Sequence, residues 1–308
     1  MPSADESLLL FYILCAVFAS VPVAMLIRRH MGKRSPQSAA MMPVYEPIVE
    51  FAASSANLMP PPVPWPAQPW TRKDALFAII LAVVVGLLMG PGVMLLLGDR
   101  ADSGEEVKMK FSISLFITQI IFQAGVIGII VGYLAAHRKF RLVPLFGLRS
   151  MSAGRTIGMA VVWLVAAYFV MLVVSPGLEP LLKQLTGMDL KPQSLVESAP
   201  QITDPLERLL MFVTLCIGAP LMEEIIFRGV LFSVAARCIH PVYASVATAL
   251  LFGVIHNNLL SFIPLTLLGI FFAEAYRRTR SLAVPVLMHA MFNCVSFVVL
   301  TNGLTEIK

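Results

Sequence analysis

Apolar runs of roughly 17–25 residues recur along this chain, near 8–27, 75–97, 111–136, 157–175, 209–236, 241–257, 259–276 and 282–301. A run of that length crosses a hydrocarbon core about 30 Å thick as one helix, and lipid offers no partner for backbone polar groups left unpaired. The runs are continuous rather than alternating, so the expected fold class is all-α: a polytopic transmembrane helical bundle of about eight spans. Composition agrees. The 308 residues are 58% hydrophobic and 13% charged, whereas soluble domains run near 45–50% apolar and about 25% charged.

The net charge of +5 is not a nucleic-acid signal, because the basic residues fall in particular loops. Arg28, Arg29, Lys33 and Arg34 follow the first run. His137, Arg138, Lys139, Arg141, Arg149 and Arg155 lie between the third and fourth. Arg237 and His240 follow the fifth, and Arg277, Arg278 and Arg280 the seventh. The alternate loops are mixed or acidic, with Asp99, Asp102, Glu105 and Glu106 in 98–110, and Glu179, Asp189, Glu197, Asp204 and Glu207 in 177–208. Basic loops stay cytoplasmic, so eight spans place both the N- and the C-terminus outside. The expected location is an integral, multi-pass membrane protein, in a plasma or inner membrane if the host is prokaryotic. The leader before the first run is acidic (Asp5, Glu6) and its positive charges come after it. That is the reverse of a cleaved signal, so residues 1–30 read as an N-terminal transmembrane anchor.

Residues 31–73 hold nine of the 22 prolines, including the run PPPVPWPAQPW. Such a segment cannot continue a helix and tends to extended polyproline II, so it reads as a Pro-rich cytoplasmic linker to a seven-span core over 74–308. A ligand for a Pro-recognising domain is the alternative, and Trp65 and Trp70 are candidates for the bilayer interface. The loop 177–208 contains the amphipathic stretch LEPLLKQLTGM, read as a short helix on the outer surface. The four cysteines, Cys15, Cys216, Cys238 and Cys294, are scattered without CxxC spacing and read as small apolar side chains.

The chemistry concentrates in the last four runs. In PLMEEIIFRG, Glu223, Glu224 and Arg228 stand inside an apolar helix, where each charge at mid-bilayer costs roughly 2.5–3.5 kcal/mol. That face must turn to the protein interior or to a water-filled cavity. Glu224 and Arg228 are four residues apart and share a face. An ion pair between them lowers the cost of burying either, and leaves Glu223, about 100° away, as the carboxylate free to accept a proton. Pro220 removes a backbone bond three residues before the pair, and a kink is expected there. In ALLFGVIHNN, Phe252 and His256 share a face. His256 reads either as an interfacial residue at a span end or as a catalytic one, with Asn257 and Asn258 as a polar helix end. In PVLMHAMFNCV, His289 and Asn293 share a face. They read either as an interhelical hydrogen-bonding pair or as groups that hold water, a metal or a developing oxyanion. Glu274 is expected to pair with Arg278 near the cytoplasmic surface. The HExxH zinc signature is absent.

EExxxR at Glu223–Arg228, FxxxH at Phe252–His256 and HxxxN at Asn293's helix, approached through YRRTRSLAVPVLMHAMFN, together resemble the CPBP family of intramembrane proteases. That family includes type II CAAX prenyl endopeptidases and bacteriocin-processing or self-immunity proteins. The resemblance covers roughly 115–300. It implies an intramembrane endopeptidase acting on a membrane-associated protein or peptide, prenylated or not. Glu223 would be the base that activates water and His256 its partner. Glu224 and Arg228 would be supports, and His289 with Asn293 would hold the oxyanion. It leaves open both a zinc site on Glu223, His256 and His289 and metal-independent polarisation of water. Arg280 departs from the family run, which often has Gly before the Ser-Leu. Two other classes fit the same residues: a catalytically inactive scaffold or immunity-type protein of this fold, and a transporter using the carboxylates as a proton relay.

Overall fold

A computed structural model describes residues 70–71, 74–81, 113–187, 199–256 and 258–302, all within one compact unit, Gln68–Lys308. The expected anchor 1–30, nearly all of the linker 31–73 and most of the run 75–97 lie outside the described residues. Among those described the secondary structure is helical, with no strand. Six long helices follow one another: α1 (Ile113–His137), α2 (Ala153–Thr186), α3 (Pro205–Arg237), α4 (Pro241–Ile255), α5 (Leu259–Thr279) and α6 (Ala283–Thr301). All but α4 are long and apolar enough to cross a membrane. α4 has 15 residues, a length of about 22 Å.

α3 is the central helix. Half of its apolar window is buried, against 17% for α1 and α2. The outer faces of α1 and α2 carry exposed Ile121, Ile129, Phe169, Leu172 and Val173, as helices that meet lipid must.

α2 differs from expectation. The stretch from residue 177 is not a separate surface helix: α2 continues through Pro176 and Pro180 to Thr186 and ends where Gly187 turns left-handed, φ 67°. Prolines are tolerated in membrane helices because neighbouring groups satisfy the carbonyls they leave free. The start signals farther on are local. Asp204 caps α3 by accepting from Glu207 N, and Pro205 opens the helix. Asn258, one of the two asparagines read as a polar end, caps α5 by accepting from Ser261 N.

Small residues let helices approach. A Cβ on Gly269 would lie 3.1 Å from Ala249, and one on Gly253 would lie 2.8 Å from the Phe262 carbonyl, so α4 and α5 pack at close range. Glu274 on α5 accepts from Arg277 Nε and from Ser245 Oγ of α4, each at 2.9 Å, and lies 3.5 Å from Arg278 Nε. The expected Arg278 pair is present, but Arg277 is the closer partner.

The α1–α2 connection docks on the α5–α6 turn: Leu282 N donates to Phe146 O at 2.9 Å, and a Cβ on Gly147 would overlap the Arg280 carbonyl. Arg280 itself has φ 58°. That gives the departure from the family run a physical meaning, since this is the left-handed position glycine occupies without strain. Arg280→Gly is expected to stabilise the protein by roughly 0.5–1 kcal/mol, read as a higher midpoint in thermal unfolding.

Near the basic loop, Asp74 accepts from Thr71 N, Thr71 Oγ1 and Tyr133 Oη and pairs with Arg138 at 2.7 Å. Burial opposes its charge, but these hydrogen bonds and Arg138 hold its carboxyl below the usual range. Trp70 packs edge-on against Phe140, with ring centroids 5.6 Å apart.

Candidate active site

The residues that matter most sit on an irregular stretch of α3. Its backbone is π-helical over Val213–Gly218, α-helical over Ala219–Glu224 and π-helical again over Ile225–Phe232. The expected kink at Pro220 thus takes the form of a widened turn. A proline ring collides with the carbonyl four residues back, and widening the preceding turn relieves that contact. Such π segments are frequent at functional sites.

Glu223 and Glu224 end the short α-helical piece and are buried, as is Arg228. Arg228 Nη1 donates to Glu224 Oε1 at 2.8 Å, the pairing expected from their spacing. Its Nη2 donates to the Gly269 carbonyl of α5 at 2.8 Å. The guanidinium lies 5.0 Å from the Phe252 ring centroid, 5.1 Å from that of Phe272 and 5.7 Å from that of Phe227. Those cation–π contacts lower the cost of burying the charge.

His289 of α6 stands between the two carboxylates. Its Nδ1 is 3.1 Å from Glu224 Oε1, and its Nε2 is 3.9 Å from Glu223 Oε2. An ionised carboxylate only accepts, so Nδ1 carries the proton and donates to Glu224, which turns Nε2 toward Glu223. Phe272 stacks on the imidazole, with centroids 4.7 Å apart and planes at 25°. Among the described residues Glu223 Oε2 is buried without a hydrogen-bond partner, as is Glu224 Oε2, but Glu224 bonds Arg228 and His289 through Oε1.

The structure does not join all of the expected residues. His256, which follows α4, directs Nδ1 to the Phe252 carbonyl at 2.7 Å. Among the described residues it makes no hydrogen bond or ion pair to Glu223. Phe252 lies between the imidazoles, its centroid 4.8 Å from that of His256 and 5.9 Å from that of His289. Asn293 Nδ2 donates to the Leu215 carbonyl of α3 at 2.8 Å, an interhelical bond. Among the described residues no group of three His, Cys, Asp or Glu side chains could hold a metal ion. Glu223 and His289 approach each other at 3.9 Å, and His256 makes no hydrogen bond or ion pair to either among the described residues, so the three are not gathered into a three-ligand zinc centre.

Three features of the site were not read from the sequence. Nothing in the spacing showed that Glu224 would serve Arg228 and His289 at once, because that link spans 65 residues. The ring cage around Arg228 was partly visible, since Phe227 adjoins it and Phe252 belongs to FxxxH. Gln123, one of two glutamines in the apolar α1, is a further such residue. It is 3% exposed and donates to the Thr214 carbonyl at 3.2 Å.

Part of the chain is similar to known membrane proteins. Residues 205–295 form a segment that matches the family model described as type II CAAX prenyl endopeptidase Rce1-like. It contains Glu223, Glu224, Arg228, His256, His289 and Asn293. The chain is 30% identical over 161 residues to YdiL of Bacillus subtilis, a protein described as a membrane peptidase, covering 52% of this chain and 63% of that one. It is 34% identical over 92 residues to MroQ of Staphylococcus aureus, described as a membrane-embedded CAAX protease, covering 28% of this chain and 36% of that one. The chain thus spans less than two thirds of either relative's length. No solved structure matches it significantly.

Proposed function

We propose that this multi-pass membrane protein is an intramembrane endopeptidase that hydrolyses a peptide bond of a membrane-associated protein or peptide with water activated at Glu223. The observation that carries the reading is the His289 imidazole held between two buried carboxylates. Glu223, whose buried Oε2 has no hydrogen-bond partner among the described residues, takes the proton of the attacking water. Glu224, tied to Arg228, fixes the imidazole through Nδ1. Nε2, the unprotonated nitrogen of that tautomer, faces Glu223 and relays the proton taken from water to the leaving amine. His256, anchored through Nδ1, keeps its Nε2 as a further polar group on the far side of the Phe252 ring from His289. The nucleophile is water, so no covalent enzyme intermediate forms.

No step is routed through a metal, because the donors do not form a three-ligand set. The substrate enters from the bilayer or its surface. A prenylated protein is the substrate class suggested by the relatives' CAAX names, and an unprenylated peptide uses the same chemistry. The loop charges support an orientation with both termini outside.

The test is cleavage of membrane-anchored peptides, with and without a prenyl group, by purified protein in lipid. Wild type, Glu223→Ala, His256→Ala and His289→Ala are compared, each with and without a chelator. Cleavage by wild type that Glu223→Ala and His289→Ala abolish is the expected result. Equal rates across the set overturn the mechanism in favour of a non-catalytic scaffold. Loss of rate on chelation overturns its metal independence.

A further inference from the structure

In the first π segment of α3 the backbone bonds run from each N–H to the carbonyl five residues back, and the last of them joins Ala219 N to Thr214 O. The next carbonyl in that register is Leu215 O, and the residue five ahead of it is Pro220. Proline has no N–H. An unsatisfied carbonyl is costly where water is scarce. At this point Asn293 Nδ2 arrives from α6 and donates to Leu215 O at 2.8 Å. One residue earlier, Gln123 Nε2 arrives from α1 and donates to Thr214 O at 3.2 Å. Two side-chain amides from two flanking helices thus take two successive carbonyls of the widened turn.

The surroundings are built around these contacts. A Cβ on Gly218 would overlap Gln123 Oε1, so the glycine makes the room that the amide fills. Cys216 and Cys294, the next residues after Leu215 and Asn293, neighbour each other across the same helix pair. Phe292, on the other side of Asn293, stacks on Tyr168 of α2 with centroids 5.3 Å apart.

Asn293 and His289 lie one turn apart on α6, while Leu215 lies about two turns before Glu223 on α3. Fixing Asn293 to Leu215 therefore fixes where His289 meets Glu223 and Glu224. We infer that Gln123 and Asn293 are positioning residues: their amides hold the Thr214 and Leu215 carbonyls, Asn293 replacing the N–H that Pro220 lacks, and so set the register of Glu223 and Glu224 against His289. The role of that register in catalysis rests on the proposed endopeptidase reading. The bond itself does not.

Pro220→Ala supplies the missing N–H and gives a direct test. Wild type, Asn293→Leu, Pro220→Ala and the double variant are compared as full-length protein in lipid nanodiscs, by unfolding equilibrium and by kcat and KM for peptide cleavage. Asn293→Leu alone is expected to shift the unfolding equilibrium roughly threefold to fifteenfold and to lower kcat by about 10²-fold with little change in KM. In the Pro220→Ala background both losses shrink to a few-fold, a rescue that an amide acting directly on substrate would not show. Equal kcat losses in the two backgrounds overturn the positioning role. Equal stability losses overturn the backbone replacement. If wild type cleaves no peptide, the endopeptidase reading fails, and the stability cycle still decides this one. If Asn293→Leu does not fold, recovery of folded protein in the double variant is the same rescue, and its failure overturns the inference. Gln123→Leu is expected to lower kcat in the same direction but less, because Thr214 O keeps its bond from Ala219. A kcat equal to that of wild type removes Gln123 from the pair.

Discussion

Arg228→Met is expected to cost about 3–5 kcal/mol of stability, the range seen when one partner of a buried ion pair is removed. The loss has three sources in the geometry. Glu224 keeps its charge in a fully buried site with only His289 Nδ1 beside it. The Gly269 carbonyl loses its donor from Arg228. The rings of Phe252, Phe272 and Phe227 lose the cation they enclose. Thermal or denaturant unfolding in detergent reads the effect directly. Adding Glu224→Gln to Arg228→Met is expected to return much of the loss, because a neutral amide tolerates the site better than an unpaired carboxylate. A single variant as stable as wild type would sink the reading of this pair as the structural base of the site.

Glu223→Gln is expected to act in the opposite way on stability and more strongly on rate. The substitution keeps shape and removes the group that accepts the proton, so cleavage falls by about 10²–10⁴-fold. The folded state is expected to gain, by roughly 1–3 kcal/mol, because a carboxyl group whose buried Oε2 has no hydrogen-bond partner among the described residues gives way to an uncharged amide. Loss of activity with a gain in stability is what a residue selected for chemistry shows. The paired measurement of cleavage rate and unfolding midpoint separates the two glutamates. If Glu223→Gln destabilises the protein as much as Arg228→Met, then Glu223 belongs to the structural cluster and the base lies elsewhere.

The comparison of these two adjacent carboxylates shows what a sequence can and cannot reveal. Periodicity was enough to separate them, because helical spacing pairs Glu224 with Arg228 and rotates Glu223 away. It also located most of the helices within a few residues: 111–136 against Ile113–His137, 209–236 against Pro205–Arg237, and 282–301 against Ala283–Thr301. It missed the continuation of α2 past Pro176 and Pro180, since proline is a strong breaker in water and a weaker one where neighbouring helices satisfy the carbonyls it frees. The residues of the site were legible as motifs, but their partners were not. Which nitrogen of His289 faces which glutamate, and that His256 turns to its own helix, are set by how α4, α5 and α6 pack, and spacing along one strand of sequence carries no such information. The widened turn in α3 was signalled only by Pro220, which by itself is consistent with a simple bend.

The length of α4 has a consequence for the solvent around the site. Its 15 residues span about 22 Å, some 8 Å less than a typical hydrocarbon core. A bilayer meets so short an element by thinning against it, at a cost of a fraction of a kcal/mol per Å of mismatch. Thinning at the end of this helix would draw the aqueous boundary toward His256, the residue that follows it. On the proposed endopeptidase reading, hydrophobic mismatch would shorten the path from bulk water to a site among apolar helices.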